Sequence, residues 1–265
     1  MLLSKNRSML SNPKVNSPMS FSRYAPQYDR LASLNPAYQE NLDRFTQVVQ
    51  KIEFTKNPVV CDVGAGTGNY ICAMQCILPD ARYIHIDSDH EMNAIALDKY
   101  QSNNFENVKI VEDYCQRVDH QAESLDFIIC VNSLYAMQPQ TLILKKLHSW
   151  LKPGGILFVI DFGRQHDVLD WGYYMFTEIA KKYGYVRAAR EMLNLLSARR
   201  ENANTTKGQK SGAYWTHSTR EFEKFLLNQD FEILEIEECY RGYSDLAVCK
   251  KRASAERTNV SHSQA

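Results

Sequence analysis

The stretch that decides the fold reads Val59-Val-Cys-Asp-Val-Gly-Ala-Gly-Thr-Gly-Asn69, an apolar strand that runs into three alternating glycines. Glycine permits positive φ and lets the backbone approach a ligand closely. The helix predicted to follow offers free amides at its amino terminus in the same place. A tight strand–helix turn also uses glycine for purely structural reasons, so the loop alone is weak evidence for a nucleotide site.

The spacing of the glycines distinguishes two classes of nucleotide-binding loop. The dinucleotide fingerprint is G-x-G-x-x-G, and its third glycine would fall at Asn69. The observed pattern is G-x-G-x-G over Gly64, Gly66 and Gly68, with an acid, Asp62, before it. This spacing argues against an NAD-dependent oxidoreductase.

Short apolar runs alternate with helix-length segments on both sides of this loop. Near-continuous apolar runs are typical of strands that are buried on both faces of a sheet. Their alternation with helices predicts a doubly wound, parallel α/β fold. The predicted strands are 59–63, 83–86, 108–111, 127–131 and 156–160, and the predicted helices are about 69–78, 89–101 and 139–151.

The alternation stops after the fifth strand, where a helix-prone and aromatic segment spans 162–213. We interpret this segment as a helical insertion that covers the carboxyl edge of the sheet and caps the site. The run from Ser218 to Glu221 then predicts a capping box at the start of an amphipathic helix. Two further strands are predicted at Phe231–Cys239 and Asp245–Lys250.

The length of 265 residues fits one globular domain, predicted over 21–251. The polar, Ser-rich ends at 1–20 and 252–265 carry too little apolar surface to order, so we predict disordered tails. The 31 basic and 31 acidic residues cancel, so nucleic acid or an anionic membrane would need a local patch of charge. Seven scattered cysteines and the lack of a 20-residue apolar stretch predict a cytoplasmic protein without a membrane span.

Acids also follow the second and third strands. Asp87 lies about 20 residues beyond the glycines, where an acid can accept both hydroxyls of a ribose. Asp113 closes the third strand, where it can accept from an adenine amino group while Tyr114 flanks the ring. The carboxyl ends of these strands converge at one crevice. The alternative role for Asp87 is a helix N-cap, for which Ser88 or Asp89 would serve equally well.

Together these motifs resemble those of the class I S-adenosylmethionine-dependent methyltransferases, in particular the broad group that acts mostly on small molecules. The resemblance covers about residues 24–250 and implies a Rossmann-like, seven-stranded sheet with the last strand antiparallel. It also implies S-adenosylmethionine as cofactor and transfer of its methyl group to a small-molecule acceptor. The segments that carry it are Asp62–Gly68, Asp87–Met92, Glu112-Asp113, Asp126–Tyr135 and Leu151–Gly155.

The resemblance implies roles for single residues. The glycine loop would pass under the methionine part of the cofactor, Ser88 would lie beside the adenine, and Asn132 would border the methionine part and the reaction site. Tyr24 and Tyr28-Asp29 fall where family members often fold an amino-terminal helix over the cofactor, although Tyr28 serves equally well as packing. The predicted cofactor-binding residues are Asp62, Gly64, Ala65, Gly66, Gly68, Asp87, Ser88, Asp113, Tyr114 and Asn132.

A sulfonium methyl group is already activated, so such an enzyme mainly aligns the nucleophile and excludes water. A catalytic base is needed only when the acceptor arrives protonated. His166 and His217 are weak candidates for that base, with solvent exposure and helix capping as their alternatives. Cys72 and Cys76 lie one helical turn apart with no histidine nearby in sequence, so we predict no metal site.

Other functions compete with methyl transfer as interpretations of these motifs. An aminopropyl transferase, or another enzyme with a related cofactor, would be expected to carry an acidic pocket, whereas 162–220 is rich in Lys and Arg. A scaffold that binds cofactor without catalysis stays open, although the intact acids at 62, 87 and 113 favour cofactor binding. Asn132-Ser-Leu-Tyr135 is not the N-P-P-Y tetrad of nucleic-acid amino methyltransferases. The methyl acceptor and the oligomeric state are not fixed by the sequence.

Overall fold

The computed structural model describes residues 25–165, 167–194 and 204–252. Seven strands form one sheet in the order β3-β2-β1-β4-β5-β7-β6. Strands β1 to β5 are parallel, and β7 runs antiparallel to both of its neighbours. The predicted fold class is confirmed. The strands are β1 Val59–Val63, β2 Arg82–Asp87, β3 Val108–Glu112, β4 Leu125–Val131, β5 Leu151–Phe162, β6 Phe231–Cys239 and β7 Ser244–Lys251.

Helices flank the sheet and connect its strands. Two short 3-10 turns follow β4 and β6, at Leu134–Ala136 and Tyr240–Gly242. The helices are α1 Ala25–Leu34, α2 Pro36–Gln50, α3 Asn69–Gln75, α4 His90–Ser102, α5 Gln140–Trp150, α6 Val168–Tyr183, α7 Tyr185–Asn194, α8 204–210 and α9 Thr219–Leu227.

Local signals explain where several of these helices begin. Ser218 and Glu221 form the predicted capping box at α9, which satisfies two backbone amides reciprocally. Asp89 caps α4 by accepting from the backbone N–H groups of Glu91 and Met92. Sequence reasoning missed α2, although Asn35 before a proline at its first turn is a standard start signal.

The core lies on both faces of the sheet. On one face, Phe45 of α2 packs edge-to-face on Tyr70 and on Phe158, with ring centroids 5.0 Å apart in each pair. On the other face, Trp150 and Phe222 are fully or almost fully buried against the strands. Burial of each such ring contributes about 1.5–3 kcal/mol to the free energy of unfolding. These contacts hold α2 on one face of the sheet and α9 on the other.

Helices α6 and α7 form a hairpin that packs against α1. Met175, Ile179 and Ala188 are buried in a cluster with Leu31 and Leu34 of α1. The hairpin belongs to the predicted insertion, whose residues 166 and 195–203 lie outside the described part of the chain. Both predicted tails lie outside it too, except residue 252, so the predicted domain boundaries stay predictions.

Candidate functional site

The glycine loop folds over the end of β2. The backbone N–H groups of Gly64 and Ala65 donate to the carbonyl oxygen of Ile86, at 2.8 and 3.1 Å. The N–H of Gly66 donates to Asp87 Oδ2 at 2.8 Å. Asp87 Oδ1 accepts from the N–H of Asp89 at 2.9 Å, so its carboxylate ties the loop to the start of α4.

The three glycines of this loop serve different purposes. All three have positive φ. A Cβ at Gly64 would collide with the side chain of Ser133, and one at Gly68 would collide with the hydroxyl of Tyr100. A Cβ at Gly66 would meet nothing within 4 Å. Gly64 and Gly68 are therefore required by packing, whereas Gly66 borders open space that a ligand can enter.

Two carboxylates stand beside this space without a cation. Asp62 is buried and forms no hydrogen bond within the described residues. Burial raises the pKa of Asp62 well above its ordinary value, and the charge of Asp87 raises it further. Burial also raises the pKa of Asp87, despite the hydrogen bonds it accepts from Asp89 and Gly66. Uncompensated carboxyl groups of this kind suit a ligand that brings hydrogen-bond donors or positive charge.

Asn132 follows β4 and has a positive φ of 51°. Its backbone N–H donates to Ile160 O at 2.7 Å, and its Nδ2 donates to the hydroxyl of Tyr240 at 3.2 Å. Its Oδ1 is buried and has no hydrogen-bond partner among the described residues. Next to it, Ser133 Oγ donates to Val63 O at 2.9 Å, which fixes this turn beside the glycine loop.

The third acid of the predicted set is engaged with its own backbone. Asp113 Oδ1 accepts from the N–H of Tyr114 at 2.8 Å, and Arg117 lies 3.8 Å from the same oxygen. The Arg117 guanidinium stands 5.0 Å from the centre of the Tyr114 ring. Ser88 is exposed just after β2. The adenine and ribose assignments remain predictions.

Helix α1 reaches the glycine loop through Asp29. Thr67 Oγ1 donates to Asp29 Oδ1 at 2.6 Å, and Lys99 Nζ pairs with Asp29 Oδ2 at 2.8 Å. The same lysine donates to Thr67 O at 2.8 Å. The neighbouring Tyr28 packs edge-to-face on Tyr38, and burial raises the pKa of Tyr28 to about 12. An amino-terminal helix therefore does lie against the loop, with Lys99 as a partner that sequence reasoning did not name.

Sequence reasoning also missed a group of buried tyrosine hydroxyls near Asn132. The hydroxyl of Tyr38 accepts from Asn69 Nδ2 at 3.1 Å, and that of Tyr70 is buried with no hydrogen-bond partner in the part of the chain that the structure describes. Burial raises the pKa of Tyr70, and the proximity of Tyr240 and Tyr38 raises it further. These phenols stay neutral near pH 7. They come from α2, α3 and the turn after β6, so no local pattern connects them.

His217 lies in a second cluster of charge, at the ends of β5 and β7. Its side chain is fully buried, with Nδ1 at 3.3 Å from Asp245 Oδ2 and Nε2 at 3.7 Å from Asp161 Oδ2. The imidazole stacks on Phe222 at 4.6 Å, and Trp215 lies 4.4 Å away, measured between ring centroids. His217 is therefore enclosed by acids and rings. Its role as a catalytic base stays a prediction, and His166 lies outside the described residues.

Hydrogen bonds complete this second cluster. Arg164 Nη1 and Thr219 Oγ1 donate to Asp245, and the N–H of Tyr135 donates to Asp161 Oδ1 at 2.9 Å. Burial alone would lower the pKa of His217, but contact with the two acids raises it. Burial would raise the pKa of Asp245, but His217, Thr219 and Arg164 hold it below its ordinary value. Burial raises the pKa of Asp161, the more distant partner.

The described residues contain neither a cluster of metal ligands nor a helix that could span a membrane. No group of three or more histidine, cysteine or acidic side chains in this part of the chain could hold a metal ion. Within the same residues, every helix is too short or too polar to cross a membrane. All seven cysteines are unpaired.

Comparison with known proteins connects the glycine loop to a family. A family model described as a methyltransferase domain matches residues 60–155. A demethylmenaquinone methyltransferase of Chlorobaculum tepidum is 26% identical over 167 residues, which is 61% of this chain and 62% of that relative. A carboxy-S-adenosyl-L-methionine synthase of Staphylococcus epidermidis is 24% identical over 181 residues, 62% of this chain and 77% of that protein. The chain thus matches less than two thirds of the first of these relatives.

Solved structures share the fold over most of the chain. A SAM-dependent methyltransferase from Aquifex aeolicus superposes with a TM-score of 0.56 and 15% identity, covering 87% of this chain and 98% of that one. The cyclase SpnF superposes with a TM-score of 0.57 and 13% identity, covering 89% and 98%. Proteins with different activities therefore share this architecture, and the reaction has to be argued from the site.

Proposed function

We propose that this chain, a member of the class I S-adenosylmethionine-dependent methyltransferase family, transfers the methyl group of S-adenosylmethionine to a small-molecule acceptor. The observation that carries the proposal is the open space over Gly66, bordered by the carboxyl groups of Asp62 and Asp87 with no cation against them. A ligand with hydroxyl and amino donors would satisfy these groups.

The residues around this space fit the cofactor. Asp87 keeps free lone pairs on a carboxylate that the backbone holds in place, which suits a pair of ribose hydroxyls. The partnerless Oδ1 of Asn132 can accept from an amino group. The backbone at Gly66 allows close approach, as a bulky adenosine sulfonium requires. Asp62, Gly64, Ala65, Gly66, Asp87, Ser88, Asp113, Tyr114 and Asn132 are the residues we propose to hold it.

S-adenosylmethionine supplies, when bound, a methyl group that is already electrophilic. The residues of this chain then have to align the acceptor, exclude water and keep the site rigid. The Asn132 turn is fixed from both sides, by Ile160 and by Tyr240. Tyr28 and Tyr70 are neutral phenols, so they contribute hydrogen bonds and shape rather than a base. We propose that alignment, and not proton removal by His217, is the main contribution of the chain.

The acceptor that we propose is small and at least partly aromatic. Tyr240 lies against Trp171 and Phe162, with ring centroids 6.3 and 6.1 Å apart, next to Asn132. Aromatic rings beside the hydroxyl group of Tyr240 suit a flat acceptor that carries oxygen or nitrogen. The relative that is named for methylation of demethylmenaquinone supports an aromatic acceptor of this kind. The unpaired cysteines support a cytoplasmic location.

Calorimetric titration with S-adenosylmethionine, S-adenosylhomocysteine and NAD tests the cofactor. We expect binding of the first two and none of NAD. A scan of aromatic acceptors with isotope-labelled methyl groups then tests the reaction, because the label must move to the acceptor. Cofactor binding without transfer to any acceptor would favour the scaffold function, and transfer of an aminopropyl group would show in the product mass.

A further inference from the structure

The tip of the α6–α7 hairpin combines basic and apolar side chains on one exposed surface. Residues 181–187 are all exposed, and this stretch turns sharply at Gly184, whose φ is 87°. Tyr185 is 76% exposed and Val186 is 79% exposed. Tyr185 lies beside Phe176 of α6, with ring centroids 6.3 Å apart, yet most of its surface and most of that of Val186 face solvent.

The charge of this tip differs from that of the whole chain. Residues 179–190 contain four basic residues and no acidic ones, whereas the chain has zero net charge. Two of these residues pair with acids that flank the segment, Lys181 with Glu178 at 2.6 Å and Arg187 with Glu191 at 3.9 Å. Lys182 and Arg190 form no ion pair within the described residues. Lys182 and Arg187 also lie over the ring of Tyr183, with their charged groups 5.3 and 4.3 Å from its centre. Positive charge therefore surrounds the exposed apolar residues.

We infer that this tip, defined as residues 181–190, docks the protein on an anionic lipid surface. Aromatic and aliphatic side chains that project beyond a ring of Lys and Arg match the boundary between acyl chains and anionic headgroups. Zero net charge gives no general attraction to a membrane, so a local patch of this kind is what such docking needs.

Three other partners for this surface, namely a second copy of the chain, its own first 24 residues and nucleic acid, fit it less well than an anionic lipid surface does. A second copy of the chain that packed tip to tip would bring Lys182 and Arg190, which have no acidic partner among the described residues, against the same two residues of its partner. The first 24 residues, which lie outside the described part, carry four basic and no acidic residues, so the tip would repel them as well. Nucleic acid would use the basic residues but would leave Tyr185 and Val186 without an apolar contact.

The hairpin is firmly joined to the rest of the molecule. Arg30 Nε and Nη2 donate to the two carboxylate oxygens of Glu191 at 2.7 and 2.8 Å. Glu191 lies fewer than two turns along α7 from Tyr185. Arg30 belongs to α1, the helix whose Asp29 contacts the glycine loop. Docking of the tip would therefore fix the position of the glycine loop relative to the lipid through α1.

Flotation of the full chain with lipid vesicles tests this inference without any need for the reaction. The probes are phosphatidylcholine vesicles and vesicles in which about a third of the lipid is phosphatidylglycerol. We expect flotation with the anionic vesicles only, weaker at high salt because the basic residues are solvent-exposed. Equal flotation with both vesicle types, or none with either, would overturn the inference.

Two variants divide the effect between charge and apolar contact. Lys182→Glu with Arg190→Glu, and separately Tyr185→Ser with Val186→Ser, should each weaken vesicle binding by roughly tenfold or more. The matched control is Leu142→Ser with Lys145→Glu on α5, an exposed apolar and basic pair away from the tip, which should bind like the natural chain. Circular dichroism should be unchanged in all three.

The same samples distinguish the alternatives. If the natural chain forms dimers that the Tyr185→Ser and Val186→Ser variant abolishes, and does not float, the surface is an interface between copies and the inference is wrong. If the control loses flotation as strongly as the tip variants, binding is not located at the tip. S-adenosylmethionine titration of each variant reports separately on the proposed function.

Discussion

Two pairs of aspartates lie at the carboxyl edge of the same sheet, and they differ in what neutralises them. Asp161 and Asp245 are directly opposite each other on β5 and β7 and share His217 between them. Asp62 and Asp87 lie on β1 and β2 and have no cation against them. His217 lies at ion-pair distance from both members of the first pair, although its ring nitrogens and Asp161 Oδ2 form no hydrogen bond among the described residues. A ligand would have to supply the partner of the second pair. We therefore expect the first pair to act on stability and the second on binding.

Removal of one member of the complete pair should have the largest effect on stability. Asp245→Ala leaves the buried His217 with only the more distant Asp161 and leaves Arg164 with only the exposed Glu238, which should cost about 3–5 kcal/mol in the free energy of unfolding. Chemical denaturation measures this loss. Glu238→Ala removes an exposed partner of the same arginine and should cost less than about 1 kcal/mol. Equal losses in the two variants would mean that the cluster is not a structural unit.

Removal of one member of the uncompensated pair should act on binding instead. Asp87→Ala should weaken S-adenosylmethionine binding by about 1–3 kcal/mol, because ligand hydroxyls and the N–H of Gly66 lose their acceptor. Calorimetry measures this change. The control is Asp80→Ala. Asp80 is exposed in the loop after α3, so this substitution should leave the affinity for S-adenosylmethionine unaltered. An unchanged affinity in Asp87→Ala would contradict the ribose assignment.

Replacement of Asp62 by its neutral isostere, asparagine, should stabilise the protein in the absence of ligand. Asp62→Asn removes a buried carboxyl group that has no partner, so we expect a gain of about 1 kcal/mol in the free energy of unfolding. The gain should grow as the pH rises, since a raised pKa in the folded state means that ionisation of Asp62 costs stability. Thermal melts at several pH values test this. Asp161→Asn should destabilise, which sharpens the contrast between the pairs.

The charge of His217 should give the smallest effect, visible in the pH dependence of stability. Its pKa is raised on folding, so the stabilisation by the imidazolium is complete below the ordinary pKa of about 6.5 and is lost as the pH rises through the folded value. The difference in the free energy of unfolding between the natural chain and His217→Gln should therefore shrink as the pH rises above about 6.5. A constant difference would show that His217 acts only by packing.

Most of the sheet could be predicted because each strand is a local apolar run between turn signals. The prediction for β1 has the bounds that the structure shows, and β6 likewise agrees. The start of β5 was not predicted. Its first residue, Leu151, pairs with Leu125 before the bulge, although Pro153 and the following glycines suggested a turn. Pairing with a distant strand decided this stretch, which local sequence cannot show.

The candidate site divides in the same way. Asp62, Gly66 and Asp87 were identified because they lie in or just beyond strands that a simple pattern locates. The cluster around His217 was not, since its acids are 56 and 28 residues away and meet only after β7 has inserted beside β5. The separate roles of Gly64 and Gly66 also needed coordinates, because only the neighbours of each Cβ distinguish them.

The adjacent residues Asp29 and Arg30 give α1 two attachments, one to the glycine loop and one to the hairpin. A displacement of this helix changes both attachments together, because one turn of backbone carries them. Thermodynamic linkage would then make the effect reciprocal. A bound cofactor would alter the affinity of the hairpin for the lipid surface by some factor, and the lipid surface would alter the affinity for cofactor by the same factor. If cofactor binding displaces α1, occupancy of one end of the molecule would be reported at the other.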